Sequence, residues 1–266
     1  MHTTDAAQRP GTVRIFGALL LRDMFVARRE LPYFLLRTTL QPVMFVVVFG
    51  YLLPRMGFVG RGYGAALLPG VLAVSLAFAS VQAVALPMVQ DFGFTREIED
   101  RLLAPISVRL VAAEKIVIGV MQGLVAALVV LPVARLIMGP IEALTGAHFT
   151  IVLSVTLLGA TAFSLMGLYM GTAIRPEQIG LMFSVIVAPM IFFGCAYYPW
   201  QGLSAVPVMK YAVLVNPLVY VSEGMRAALT PALPHMSLAG VGGALLVMVA
   251  VFWRLGIRSF ERRAIG

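Results

Sequence analysis

Five charged side chains, Arg96, Glu97, Glu99, Asp100 and Arg101, crowd into six residues of a chain in which only 12% of residues are charged. They sit in the stretch DFGFTREIEDRLLAPISVR, residues 91–109, between two long apolar runs. Thr95 is placed to cap a helix over 96–104, with Glu97 and Glu99 in the first turn, where the helix dipole favours negative charge. Glu97 and Arg101 stand at i and i+4, the favourable order for an ion pair. Ile98, Leu102 and Leu103 share an apolar edge, and Pro105 ends the helix by excluding helical geometry at Ala104. The chemistry such a helix offers is ion pairing beside an apolar ridge. That suits either a solvated loop helix or a handle gripped by another protein, and the pattern alone leaves both open.

Bond-making chemistry is hard to place. The chain has no G-x-x-x-x-G-K-[ST] phosphate loop and only two lysines, Lys115 and Lys210, so it is not a P-loop ATPase by itself. His2, His148 and His235 are scattered far from metal-ligand spacing, and no metal site is expected. The single cysteine, Cys195, excludes an internal disulfide and reads as a packed small hydrophobe. Arg37, Glu114, Lys115 and Arg135 fall near the ends of apolar runs, where long side chains can snorkel. An ion at mid-membrane costs about 2.5–3.5 kcal/mol on insertion scales. Mid-run polarity is limited to groups such as Gln41, Gln82, Gln122, Ser75, Ser154 and Thr156. The missing mid-membrane carboxylate disfavours a proton- or sodium-coupled carrier, and the missing acid pair disfavours an intramembrane enzyme.

The elements that must carry these groups are apolar helices. The chain is 60% hydrophobic, with a mean hydropathy of +0.94. Continuous apolar runs of about 20 residues suffice to cross a hydrocarbon core of about 30 Å. Six spans are expected, at 33–53, 65–89, 110–137, 149–173, 179–197 and 237–255. The runs do not alternate, so the fold class is an all-α integral membrane protein rather than a barrel. Gly119-x-x-x-Gly123 and Gly167-x-x-x-Gly171 mark close helix packing. Basic residues gather in the N-terminal arm, in 91–109, at Arg175 and in the tail, at Arg254, Arg258, Arg262 and Arg263. The positive-inside rule therefore places both termini, the charged segment and Arg175 in the cytoplasm. Topology accounts for the net charge of +8, and no nucleic acid is expected as a partner. No cleaved signal peptide is expected, because Arg22 and Asp23 directly follow the short apolar run 15–21.

Residues 1–32 read as a cytoplasmic arm carrying an amphipathic interface helix over 13–31. Arg14, Arg22, Arg28 and Arg29 share an arc of about 120°, opposite Phe16, Leu19, Leu20, Met24 and Ala27. The helix rests on lipid headgroups, touches a cytoplasmic partner, or does both; Pro32 is expected to break it from the first span. A six-span domain follows over 33–257, then a basic tail over 258–266. Within it, residues 198–234 are largely apolar yet broken by Pro199, Gly202, Pro207 and Pro217, and carry Lys210, Glu223 and Arg226. Two short helices re-entering the outer leaflet fit this pattern, as does an external loop resting on the membrane.

Taken together, the chain resembles the type-2 ABC exporter permeases. The likeness rests on the amphipathic N-terminal helix, on TREIEDRLLAPIS at 95–107 in place of a coupling helix of the form R-x-x-E-x-L-L-x-x-P-[IV]-S, and on a signature at Pro217-Leu218-Val219-Tyr220 with Arg226, preceded by Asn216. The chain departs from it in having Glu-Asp where many members place Gly or Thr before the leucines. The resemblance covers essentially the whole chain. It implies a coupling helix at 94–107 whose docking residues are Arg96, Glu97, Glu99, Asp100, Arg101, Leu102, Leu103 and Pro105. It implies an outer hairpin that closes the exit, built on Pro199, Pro207, Asn216, Pro217, Tyr220, Glu223 and Arg226. Partners would be two ATP-binding cassette subunits and a second permease copy, as a homodimer or a heterodimer, in a bacterial inner membrane. This chain would bind no cofactor itself; ATP and magnesium would sit on the ATPase. Gln41, Phe45, Phe78, Gln82 and Phe193 are the pathway candidates. The lead into the first span, 28–54, is closer to the drug exporter branch, so a drug-like or lipid-like amphiphile is expected, with a lipid-linked glycan or polysaccharide as the alternative. Rival classes are a stand-alone carrier or channel and a scaffold protein without flux.

Overall fold

The computed structural model describes residues 12–60, 63–93, 107–138 and 146–265. The docking residues Arg96, Glu97, Glu99, Asp100, Arg101, Leu102, Leu103 and Pro105 lie outside them. Every regular element among the described residues is helical.

The first helix, α1, spans Thr12–Phe45 and continues through the π-helical stretch Val46–Leu52 into Leu53–Arg55. Pro32 and Pro42 both lie inside α1, so the break expected at Pro32 is absent. A proline forfeits one backbone hydrogen bond, whereas abandoning helical geometry in an apolar setting would leave several peptide groups without partners. The interface helix and the first apolar run are thus one helical stretch of 43 residues, Val13–Arg55. A bilayer core accommodates about 20 of them.

The hub is α2, Tyr63–Gly93, packed against α1, α3 (Val108–Met138) and α4 (Gly146–Ala173). Its sequence explains its central place. Ala73, Ala77, Val81 and Ala85 recur every fourth residue and present a narrow, buried edge. Opposite them stand the glycines of α4. A Cβ on Gly167 would lie 2.7 Å from the Val81 carbonyl oxygen, and one on Gly171 would lie 2.8 Å from that of Ala85. The backbones of α2 and α4 approach this closely because neither carries bulk at the crossing.

After α4 the chain becomes irregular. The helix α5, Pro176–Phe192, begins with a 3-10 turn, passes through the π-helical stretch Phe183–Val187, and is shorter than the others. It stops short of the expected end at 197, because the chain turns at Cys195, whose backbone is left-handed with φ 52°. A 3-10 turn at Trp200–Ala205 leads to α6, Pro207–Ala212, and then to α7, Pro217–Leu229. The last helix, α8, spans Leu238–Ile265. It runs through the residues expected to form a separate tail, because they bond to neighbouring helices: Glu261 pairs with Arg109 of α3, and Arg263 donates to carbonyls at the end of α4.

Among the described residues, five helices are long and apolar enough to cross a membrane, Val13–Arg55, Ala66–Gly93, Val108–Ile137, His148–Ala173 and Leu238–Ala264, while the run expected at 179–197 gives only the shorter α5. The core binds α2, α4, α5, α7 and α8 into one cluster around Phe163, Met166, Met190, Leu218 and Met225. Many large apolar residues remain exposed, among them Tyr33, Leu36, Leu40 and Met44 on α1 and Leu246, Val247 and Val251 on α8. That is the pattern of a surface solvated by lipid.

Candidate functional site

A cavity of about 220 Å³ lies where α1, α2 and α5 meet, lined by Gln41, Phe78, Gln82, Phe183, Val187, Ala188, Ile191 and Phe192. Phe78 and Phe183 meet edge to face, with ring centroids 6.3 Å apart. Gln82 is 6% exposed, and its Oε1 atom accepts no hydrogen bond among the described residues. A buried amide oxygen without a donor costs on the order of 1–3 kcal/mol. An apolar cavity with such an acceptor in its wall is suited to an amphiphile carrying a donor group. Three of the pathway candidates, Gln41, Phe78 and Gln82, thus share one wall. Phe45 lies elsewhere, stacked on Phe49 at 5.5 Å and on Tyr197 at 4.7 Å. Phe193 lines a separate apolar cavity of about 410 Å³ between α5, α6 and α8.

Toward one end of the bundle, the proline-broken segment folds around an ion pair. Glu223 and Arg226, one turn apart on α7, are 0% and 1% exposed. Glu223 Oε1 accepts from Arg226 Nη1 and from the Trp200 backbone N–H at 2.9 Å. Its other oxygen accepts from the Met236 N–H at 2.9 Å. Arg226 Nη2 donates to the Cys195 carbonyl at 3.0 Å, which the left-handed turn at Cys195 presents, and to that of Tyr198 at 3.5 Å. This latch ties α7 to the end of α5, the 3-10 turn and the lead into α8. A Cβ at Gly70 of α2 would overlap the Ala196 carbonyl, so the turn rests directly on the hub.

The other predicted hairpin residues converge here. Pro199 stands in extended backbone before the 3-10 turn, and Pro207 opens α6. Asn216 caps α7: its Oδ1 accepts from the Leu218 N–H at 2.9 Å, while Nδ2 donates to the Met190 carbonyl at 2.7 Å. Pro217 occupies the first helical position, where its missing N–H costs nothing. The Tyr220 hydroxyl donates to the Leu214 carbonyl at 2.8 Å. Trp200 Nε1 donates to the Lys210 carbonyl at 2.9 Å, and the Lys210 ammonium stands 4.6 Å from the Trp200 ring centroid.

The opposite end carries a second buried charge cluster that the sequence reading missed. Lys115 Nζ lies 2.7 Å from Asp23 Oδ2 and 3.6 Å from Asp91 Oδ2, with side chains only 6%, 11% and 11% exposed respectively. Glu114 is fully buried. The expectation that Glu114 and Lys115 reach outward is overturned: both are buried, and α1 and α2 supply the carboxylates that meet Lys115. The one local hint was Asp23 itself, an acid within the arginine-bearing helix. Only packing shows what it meets. Asp91 lies in the last turn of α2 and Lys115 in the second turn of α3, so this clamp joins α1 to both helices that flank segment 94–106. A cavity of about 240 Å³ adjoins it, lined in part by Arg22, Glu30, Gln90 and Gln122. On α1, Arg14, Arg22, Arg28 and Arg29 are all exposed.

Comparison with known proteins agrees with this architecture. Residues 14–230 match the family model described as ABC-2 type transporter. A protein named inner membrane transport permease YadH, from Escherichia coli K12, is 27% identical over 226 residues, covering 79% of this chain and 80% of that protein. Proteins of the same name from Escherichia coli O157:H7 and Shigella flexneri match to the same extent. An apolar helical bundle, a bipolar arrangement of buried charge and a family match over most of its length lead to one conclusion: the chain belongs to the ABC-2 type transporter family, as a transmembrane permease.

Proposed function

We propose that this chain is the membrane subunit of an ATP-driven exporter in a bacterial inner membrane, working as a dimer with two separate ATP-binding subunits. Both termini and segment 94–107 face the cytoplasm, α5 serves as the remaining short span, and residues 198–234 form the outer hairpin. The observation that carries the reading is the clamp of Asp23, Lys115 and Asp91. It fastens α1 to both helices that lead into and out of the docking segment. A push delivered at 94–107 by ATPase closure would therefore reach α1, and with it the cavity wall at Gln41. ATP and magnesium act on the partner; this chain makes and breaks no bonds.

The substrate is a drug-like or lipid-like amphiphile rather than a glycan. The cavity of Gln41, Phe78, Gln82 and Phe183 supports this, because aromatic and aliphatic walls with one unused acceptor suit a mostly apolar molecule better than a polyhydroxylated one. A homodimer is the simplest assembly, with the exposed apolar face of α1 near the pathway.

The test is a gentle detergent purification from native membranes, with partners identified by mass spectrometry. A stoichiometric partner bearing Walker motifs, lost on Glu97→Lys or Arg101→Glu, is the expected result. A chain that purifies alone, or that keeps its partners through both charge reversals, would overturn the docking assignment and favour a stand-alone carrier.

A further inference from the structure

The ends of α4 and α8 enclose a cavity of about 620 Å³ that the transport reading does not use. Its lining includes Thr172, Arg175, Leu255, Arg258, Arg262 and Arg263. Two features give it direction. First, its positive charge is unbalanced: among the described residues, no carboxylate stands within ion-pair distance of Arg175, Arg258 or Arg262. The carboxylate on this stretch of α8, Glu261, is engaged by Arg109 at 2.7 Å. Arg263 has a different task. It donates to the Thr172 and Ile174 carbonyls at 2.8 and 3.0 Å and stacks on Phe92, which offsets the negative end of the α4 dipole that would otherwise repel an anion. The Thr172 hydroxyl, 2.9 Å from Ser259 Oγ, ties the two walls together.

Second, the basic lining continues into an apolar track. Val247, Val251, Leu255, Arg258 and Arg262 are all exposed and recur at three- and four-residue intervals, so they form one stripe along α8. Its first three members are aliphatic, and its last two are guanidinium groups. A ligand matching this stripe has an anionic head and hydrocarbon tails lying parallel to a membrane helix. Guanidinium forks bind phosphate oxygens in pairs, a geometry that a lysine patch would not supply.

We propose that the α4–α8 cavity is a binding site for an anionic phospholipid, with the headgroup phosphate on Arg258, Arg262 and Arg175 and the acyl chains along Leu255, Val251 and Val247. The site needs only that α4 and α8 lie in a bilayer, and it holds whichever side of the membrane their ends face. It is also independent of the substrate assignment. A lipid held here braces α8, which packs chiefly on α4.

The test is native mass spectrometry of the full-length chain in detergent, titrated separately with phosphatidylglycerol, phosphatidylcholine and inorganic phosphate. The expected result is one tightly retained phosphatidylglycerol per chain, no comparable retention of phosphatidylcholine, and no displacement by millimolar phosphate. R258Q/R262Q is expected to weaken phosphatidylglycerol binding roughly thirtyfold, taking about a fivefold factor per basic residue at a membrane surface. R258K/R262K falls between the two, and Arg135→Gln, on α3, behaves as wild type. Both arginines are exposed, so in delipidated detergent thermal melting of the glutamine pair should match wild type and exclude misfolding as the cause. Wild-type affinity in the glutamine pair, equal retention of the two lipids, or displacement by free phosphate would each overturn the proposal. So would unchanged lipid binding coupled with loss of a co-purifying ATPase, which would assign the arginines to a protein contact instead.

Discussion

The two buried charge clusters of this molecule use the same groups in opposite ways. In the latch, Glu223 and Arg226 are neighbours on one helix, and four further backbone groups from distant turns converge on them. In the clamp, Lys115, Asp23 and Asp91 come from three different helices, remain slightly exposed and border a cavity. The latch is held mainly by backbone groups, which cannot rearrange without unfolding a turn. The clamp divides one cation between two carboxylates at 2.7 and 3.6 Å, so its helices can shift while an ion pair is kept. A buried ion pair ringed by backbone groups fixes one local turn, whereas one made between helices fastens separate helices to each other.

The sharpest way to break that contrast is at the latch. Arg226→Ala leaves the Glu223 carboxylate buried without its cation, and removing one partner of a buried pair costs about 3–5 kcal/mol. The expected outcome is a collapse of the thermal transition or loss of monodisperse protein on size-exclusion chromatography. A variant that melts like wild type would show the latch to be dispensable. Next in size is Lys115→Met, which removes the cation that Asp23 and Asp91 share; a loss of about 3 kcal/mol is expected, read by denaturant or thermal melting.

A finer separation comes from Asp23→Asn. Lys115 keeps Asp91, so stability should fall by only about 1–2 kcal/mol. ATP-driven transport in proteoliposomes should fall far more than stability does, while ATP hydrolysis persists. The swap Asp23→Lys with Lys115→Asp should recover part of the flux. Equal losses of flux and of stability would reduce the clamp to a structural prop. The smallest effect is expected at the exposed pair, where Arg109→Gln should leave both melting and flux unchanged within error, because solvent screens it.

The local start of α7 was legible in advance. Asn216 followed by Pro217 announces a capped helix start, and the structure places cap, proline and helix as that pair requires. Pro199, Tyr220, Glu223 and Arg226 gather around that helix, an arrangement that the prolines and charges alone did not specify. The clamp was not legible. Asp23 and Lys115 are 92 residues apart, and nothing in local periodicity links them. The cavity was legible in part: Gln41, Phe78 and Gln82 meet, whereas Phe45 turns to Tyr197, because helix rotation, which hydropathy does not specify, decides which face of α1 looks inward.

The sequence by itself determined the all-helical apolar character of this protein and its family signature. These follow from transfer free energies and backbone rules that act residue by residue. Only the tertiary structure decided that Pro32 is absorbed into a continuous helix, that α5 ends early at a left-handed turn, and which charges meet in the interior. Those outcomes depend on what each surface packs against. A proline, a lysine or an aspartate takes its place from the lowest total cost of unsatisfied bonds and buried charge, and that sum runs over neighbours far away in the chain.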